Sequence, residues 1–296
     1  MSNFISVNKL KNTRVLLLGG TSGVGYAVAR AALEHGASVI VASSSETKVK
    51  NAISSLKELY PESPYVNRIA GQKCDLSNDE IIESEILELY KFATSKTLFP
   101  QNKDEQVNVK EEGDIIPINH IVFTAGSIPQ TLPPTDSGVN VPYLRSLNTV
   151  RFVGAALLAK HAPTYMPPAP ESSATAPYSS ITFTSGALLE RPMPGMTFGL
   201  AGIGQVHAQA RGLAIDLAQF GIRVNTVMLG PVETPIFNTL GGPEVVEGIK
   251  RGFGERTLLG RLGDAGDAAE MFLGLMRDGN ITGEVVRSDA GFVLKG

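Results

Sequence analysis

The strongest constraint on this chain is a repeated alternation of apolar runs with helical patterns. RVLLLGG (14–20), SVIVAS (38–43), HIVFTAG (120–126), SITFTSG (180–186), RVNTVMLG (223–230) and EVVRSD (284–289) each read as a strand. GYAVARAALEHG (25–36), between the first two, reads as a helix ending at a glycine. Unbroken Val/Ile/Leu runs, unlike in-and-out alternation, belong to strands covered on both faces. Strands alternating with helices imply crossovers and a parallel sheet. The expected fold class is α/β, a doubly wound parallel sheet with helices on both faces, in one domain over residues 1–296. No repeat of fixed period is present.

Two segments break the series. PQNKDEQVNVKEEGD (100–114) is polar and charged, and is expected to be a surface insertion. Residues 162–179 contain Pro163, Pro167, Pro168, Pro170 and Pro177, a density that opposes helix and central strand alike. An extended loop is expected there. The strand series resumes after each break, so neither marks a domain boundary.

Composition narrows the function classes. Charged residues are 19% and hydrophobic residues 43% of the chain, which indicates a globular protein. A formal net charge of -3 argues against nucleic-acid or anionic-membrane partners, which select a basic face. Cys74 is the only cysteine, which excludes an internal disulfide and a cysteine-based zinc cluster. No His/Asp/Glu spacing suggests a metal. The opening MSNFISVNKLKNTR has no continuous apolar segment and no apolar run is long enough to span a bilayer, so a cytoplasmic protein is expected.

GGTSGVG (19–25) joins the first strand directly to the first helix. Gly19, Gly23 and Gly25 fit G-x-x-x-G-x-G. A tight turn needs positive φ, and a pyrophosphate must approach bare backbone at a helix N-terminus. In this place the motif points to a dinucleotide, held by Gly19, Thr21, Ser22, Gly23, Val24 and Gly25. An acid about twenty residues further on would hold the ribose hydroxyls of NAD. The second strand instead runs into Ser43, Ser44 and Ser45, with Lys48 close by. Hydroxyls and backbone N–H groups accept a 2′-phosphate that an acid would repel, so NADP(H) is the expected cofactor. The alternative is a polar loop without preference.

CDLS (74–77), TAG (124–126), LNTVRF (147–152), TFTSG (182–186), GIRVNTVMLGPVETP (221–235), GRLGDAGDAAEMFLGLM (260–276) and ITGEVVRSDAG (281–291) follow that motif in order. The series resembles the short-chain dehydrogenases/reductases over nearly the whole chain. The resemblance implies a seven-stranded Rossmann sheet. It implies that Asp75 and Leu76 lie at the adenine, and Ala125 and Gly126 at the adenosine ribose. Gly230, Val232 and Thr234 would lie at the nicotinamide end, Val232 through its backbone. Asp75 alternatively caps the next turn, and Thr234 the helix near 236. A homo-oligomer is implied, through helices around 145–160 and 202–220.

The family's usual catalytic set is Asn, Ser, Tyr and Lys. Asn148 matches the Asn and Ser185 matches the Ser that polarises the carbonyl. The Tyr and Lys positions fall on Phe198 and Gly202, or on Gly199 and Ile203 in the other register. Neither register offers Tyr or Lys, and from Pro192 to Val206 no side chain titrates. Arg151, three residues after Asn148, is placed to hydrogen-bond a carbonyl but is no base near neutral pH. Arg191 and Glu190 read as solvated loop charges, and His207 as packing in a helix interface. His35 and His161 lie near helix ends, and His120 starts a strand.

TSGALLERPMPGM (184–196) resembles a divergent fungal branch of the family, the reductase/Diels–Alderases of indole alkaloid pathways, which also lack the Tyr/Lys pair. Their Pro-Asp-Pro-Gly-Trp turn is Pro192–Met196 here, with Met193 at the Asp and Met196 at the Trp. Arg151 matches an arginine those enzymes use near the substrate. Met193, Met196 and Phe198 are expected to line an adaptable apolar pocket for a small-molecule substrate. The function expected is an NADP(H)-binding reductase of specialised metabolism acting on an iminium-like substrate, since hydride addition to a cation needs no acid. The alternatives are a non-redox cyclase or isomerase on the same scaffold, and a non-catalytic NADP-binding protein.

Overall fold

β1 (Arg14–Leu18) is buried along its whole length, because Arg-Val-Leu-Leu-Leu sends apolar side chains to both faces of a sheet. In this computed structural model, which describes residues 6–62, 64–99, 115–128, 131–166 and 179–295, six further strands flank it. They are β2 (Ser38–Ser43), β3 (Ile69–Lys73), β4 (His120–Phe123), β5 (Ser179–Gly186), β6 (Ile222–Leu229) and β7 (Val285–Ser288). The sheet order is β3-β2-β1-β4-β5-β6-β7 and every pairing is parallel. The chain builds outward from β1 to β3, then crosses to β4 on the other side of β1. A crevice therefore opens beyond the carboxyl ends of β1 and β4, where such sheets bind ligands.

Among the described residues, eight α-helices cover the sheet: α1 (Gly23–Glu34), α2 (Glu46–Leu59), α3 (Ile82–Ala93), α4 (Val141–Asn148), α5 (Ala155–Tyr165), α6 (Thr197–Asp216), α7 (Pro243–Glu255) and α8 (Ala265–Arg277). α1, α2 and α8 bury Val28, Leu33, Leu56, Phe272 and Leu273 against one face. α3, α5 and α6 bury Ile86, Leu89, Leu158 and Val206 against the other. Among the described residues no helix is long and apolar enough to cross a membrane.

The six expected strands are present. The seventh, β3, has no unbroken apolar run because Ile-Ala-Gly-Gln-Lys lies half-buried at the sheet edge. The expected loop over 162–179 is corrected at both ends. α5 runs through Pro163 to Tyr165, and Ser179 belongs to β5. Pro163 sits in the last turn of α5, where it removes one helix hydrogen bond. Ala159 and Ala162 are fully buried, Met166 N–H closes on the Ala162 carbonyl, and Tyr165 stacks on Tyr90 at 4.6 Å. Tertiary packing outweighs the local penalty. Residues 167–178 and the insertion 100–114 lie outside the described residues.

Between α4 and α5, Thr149–Gly154 winds as a π-helix. Such widened turns are frequent at functional sites.

The glycine turn after β1 is packed at backbone contact. A Cβ on Gly25 would stand 2.3 Å from the Gly19 carbonyl oxygen and 2.5 Å from Thr124 Oγ1. Gly25→Ala is therefore expected to destabilise by about 1–3 kcal/mol through overpacking. Gly274, inside α8, has open space around its Cβ position. Gly274→Ala is expected to stabilise by about 0.5–1 kcal/mol. Chemical denaturation of both variants checks the contrast, and a tolerated alanine at Gly25 would refute the packing argument.

Candidate functional site

The crevice is walled by three segments. The chain leaves β1 through Gly19 and enters α1 through Gly23, with φ of 86° and 54°, in the left-handed region that favours glycine. A Cβ on Gly19 would lie 2.7 Å from the Ala125 amide nitrogen and Thr124 Oγ1 at the end of β4. A Cβ on Gly23 would lie 3.2 Å from the Thr234 side chain, so the segment after β6 meets the same turn. Ser22, the α1 N-cap, makes no side-chain capping bond, and the first turn holds no acid. The leading N–H groups of α1 are thus left for an anion.

At the far end of this wall, Ser43 closes β2 and pairs with Lys73 of β3. Ser44 and Lys48 are exposed. The Ser45 hydroxyl is committed as the α2 N-cap, accepting from the Lys48 amide at 3.4 Å. Asp75 accepts from the Ser77 amide at 3.0 Å and the Ser77 hydroxyl at 2.7 Å, bonds that hold its carboxyl below the ordinary carboxylate value. The turn-capping alternative for Asp75 is thus realised on Oδ1. Leu76 and Cys74 are buried beneath it, and burial pushes the Cys74 thiol up to about 12, with help from Glu85 and Asp75.

At the other end, Val232 bridges Gly263 through its neighbours: Gly263 N–H donates to the Pro231 carbonyl and Glu233 N–H to the Gly263 carbonyl. In this pattern the N–H and C=O of Val232 itself turn to the opposite side. Gly230 passes the Asp289 backbone so closely that a Cβ would lie 2.5 Å from the Asp289 Cα. Thr234 precedes a short 3₁₀ turn, Pro235–Thr239, without a side-chain capping bond, so the capping alternative does not hold.

Asn148 and Arg151 bond different groups. Three residues span about one turn of an α-helix, but the segment starting at Thr149 is a π-helix, which takes more residues per turn. Asn148 is exposed and donates to the Leu144 carbonyl of its own helix at 3.1 Å. Arg151 folds onto the end of β4, donating to the Ser127 carbonyl at 2.9 Å. Its guanidinium lies over Gly126, where a Cβ would come within 2.4 Å. Burial lowers its pKa from the usual guanidinium value.

Ser185, next to last in β5, is 6% exposed. Its Oγ lies 2.7 Å from Nε2 of His207, on α6. This overturns the expectation that His207 merely packs between helices. Desolvation lowers the His207 pKa below its ordinary 6.5, Arg211 lowers it further, and Glu190 opposes. A signal existed in the sequence. Gly199, Ile203 and His207 recur every four residues, so His207 continues one turn further along the stripe that carries the Tyr and Lys positions in the second register.

In the first register, the Lys position is closed. Gly202 packs on α4, where a Cβ would stand 3.0 Å from the Leu147 carbonyl oxygen. Ahead of α6, Met196 N–H bonds the Met193 carbonyl at 3.3 Å across Pro194 and Gly195, and Gly195 has φ 78°. This is the type II turn that Pro-Gly favours. It is pinned on the segment before α4, since a Cβ on Gly195 would lie 2.6 Å from Thr131 Cγ2. Met193, Met196 and Phe198 are half-buried around it.

The other candidates take structural roles. Arg191 is not a solvated charge: it donates to the Arg256 carbonyl at 3.0 Å and the Phe292 carbonyl at 2.8 Å, with its guanidinium over the Phe292 ring. Glu190 pairs with Arg287 of β7. His161 bonds Glu83, His35 bonds the Ala31 carbonyl, and buried His120 bonds the Ser180 hydroxyl. Among the described residues no group of three or more His, Cys, Asp or Glu side chains is arranged to hold a metal ion.

Comparison with known proteins agrees with this architecture. The pattern of the SDR-like Rossmann domain matches residues 6–295. The short-chain dehydrogenase/reductase malC of Malbranchea aurantiaca is 32% identical over 286 residues, covering 97% of this chain and 96% of that protein. The short-chain dehydrogenase/reductase ucsE of an Acremonium species is 33% identical over 289 residues, covering 98% of each. The solved structure of MalC Reductase/Diels-Alderase superposes with a TM-score of 0.82, covering 98% of this chain and 99% of that one. The chain belongs to the short-chain dehydrogenase/reductase family.

Proposed function

We propose that this protein is an NADP(H)-dependent reductase of specialised metabolism that acts on an activated, iminium-like small molecule. The observation that carries this reading is the crevice at the switch point. An uncapped helix N-terminus opens there, β5 ends in Ser185-Gly186 at the same carboxyl edge of the sheet, and neither Tyr nor Lys occupies the family's positions. The residues fit a nicotinamide dinucleotide. Gly19, Gly23 and the first turn of α1 would hold the pyrophosphate, Ser43, Ser44 and Lys48 the 2′-phosphate, and the turned-out backbone of Val232 the carboxamide. When bound, that cofactor supplies the hydride. The chain's own part is to orient the electrophile: Ser185 offers a hydroxyl, and Met193, Met196 and Phe198 offer an adaptable apolar wall.

A second reading, a cyclase on the same scaffold, is favoured by the apolar turn at 192–196 and by likeness to a reductase/Diels–Alderase. Proximity and orientation alone can supply about 7–11 kcal/mol of a barrier. The exposed Phe152 and Ile215, on the π segment and α6, also favour a homo-oligomer through those helices.

Two measurements test the proposal. In calorimetric titrations NADPH should bind about tenfold or more tighter than NADH, the size of one charge-assisted hydrogen bond. Lys48→Ala should shrink the margin, and tighter binding of NADH would refute the cofactor assignment. In single-turnover mixing with an N-methyl dihydroisoquinolinium salt, reduced-nicotinamide absorbance should fall. Substrate rearrangement without that loss would establish the cyclase, and no reaction at all would favour a non-catalytic protein.

A further inference from the structure

We propose that Ser185 and His207 form a proton relay in place of the missing tyrosine and lysine, and that the site therefore also reduces neutral ketones and aldehydes. This rests on the reductase reading and extends its substrate class. The geometry carries it. Ser185 Oγ and His207 Nε2 are 2.7 Å apart, on a strand end and on the helix that normally bears the proton donor. Ser185 is buried at the carboxyl end of β5, and His207 is half-buried on α6.

The carbonyl carbon gains a hydride from reduced nicotinamide, and its π electron pair moves to oxygen. That oxygen takes the Ser185 hydroxyl proton while Nε2–H of the His207 imidazolium replaces it. His207 is left neutral with its remaining proton on Nδ1, and takes a new proton from water. In the reverse direction, neutral His207 accepts the alcohol proton through Ser185. Histidine suits both directions because its ring nitrogens exchange protons near neutral pH.

The surroundings set the direction of the pH dependence. Arg211 of α6 favours the neutral ring, and Glu190 of the turn after β5 favours the charged ring while tied to Arg287 of β7. Arg151 of the π segment is turned onto Ser127, Arg145 of α4 is exposed, and Arg223 of β6 is committed to the Leu275, Met276 and Ile281 carbonyls. Burial and Arg211 win, so His207 titrates below 6.5. Carbonyl reduction needs the protonated ring. It is fully present below that midpoint and falls as pH rises through it, about tenfold per unit. Iminium reduction needs no proton and lacks this limb.

The test compares trifluoroacetophenone with the dihydroisoquinolinium salt, each with NADPH, across pH. The ratio of the ketone rate to the iminium rate should fall above the His207 midpoint. In His207→Gln that ratio should drop at least about 100-fold and lose its pH dependence, the size of general-acid help. Ser185→Ala should lower the ratio similarly, and serves if His207→Gln does not fold. Without turnover, the His207 ring resonances followed by NMR should titrate at the kinetic midpoint. Iminium turnover without ketone turnover in the wild type would overturn this relay alone. So would an unchanged ratio in His207→Gln, or an NMR midpoint more than about one unit from the kinetic one. Failure of both substrates would overturn the reductase reading, and the relay with it.

Discussion

The backbone-to-backbone approach between the turn after β1 and the end of β4 is the contact on which the candidate site depends. Cβ positions on Gly19 and Gly25 are already filled by Ala125 N, Thr124 Oγ1 and the Gly19 carbonyl. Only an absent side chain lets the two strand ends meet at this distance. Their meeting creates the crevice, aims the N-terminus of α1 into it, and brings Thr234 against Gly23. The β4–β5–β6 register sets Ser185 at the carboxyl edge of the same sheet, and Arg151, on the π-helix, lies over Gly126 and donates to the Ser127 carbonyl.

Within that frame, one position that the family gives to Lys is filled by packing, and a titratable side chain, His207, touches Ser185. Gly202 lies against the Leu147 carbonyl, where a longer side chain would collide with α4 backbone. His207 instead reaches Ser185 from one turn beyond the usual stripe. Ser185 thus keeps a titratable neighbour although the Tyr and Lys positions hold none. The apolar turn at 193–196 packs on Thr131, with Gly195 in the left-handed region of φ that favours glycine.

Much of the fold was legible because buried parallel strands announce themselves as unbroken apolar runs. β1, β2 and β6 are such runs, and the glycine turn follows the first of them directly. β3 was not legible, since an edge strand half in solvent needs no apolar run. Pro163 misled because local propensity says nothing of the Tyr90–Tyr165 stack that holds the last turn of α5. In the site, Ser185 was legible from its place at the end of β5. His207 was legible only as the next position on the Gly199–Ile203 stripe, because a histidine on a helix has no fixed partner until the helix is docked. Likewise the different partners of Asn148 and Arg151 lie either side of the start of a π-helix, whose winding the local pattern did not reveal.

The central claim is that Ser185, backed by His207, faces the reacting end of a bound nicotinamide. A crystal structure with saturating NADP+ tests it most directly. The account predicts the pyrophosphate on the first turn of α1, the carboxamide on the Val232 backbone, and the nicotinamide ring beside Ser185 with the bond to His207 intact. A crevice without cofactor, or a nicotinamide beside Ser185 with His207 rotated off it, would contradict the account.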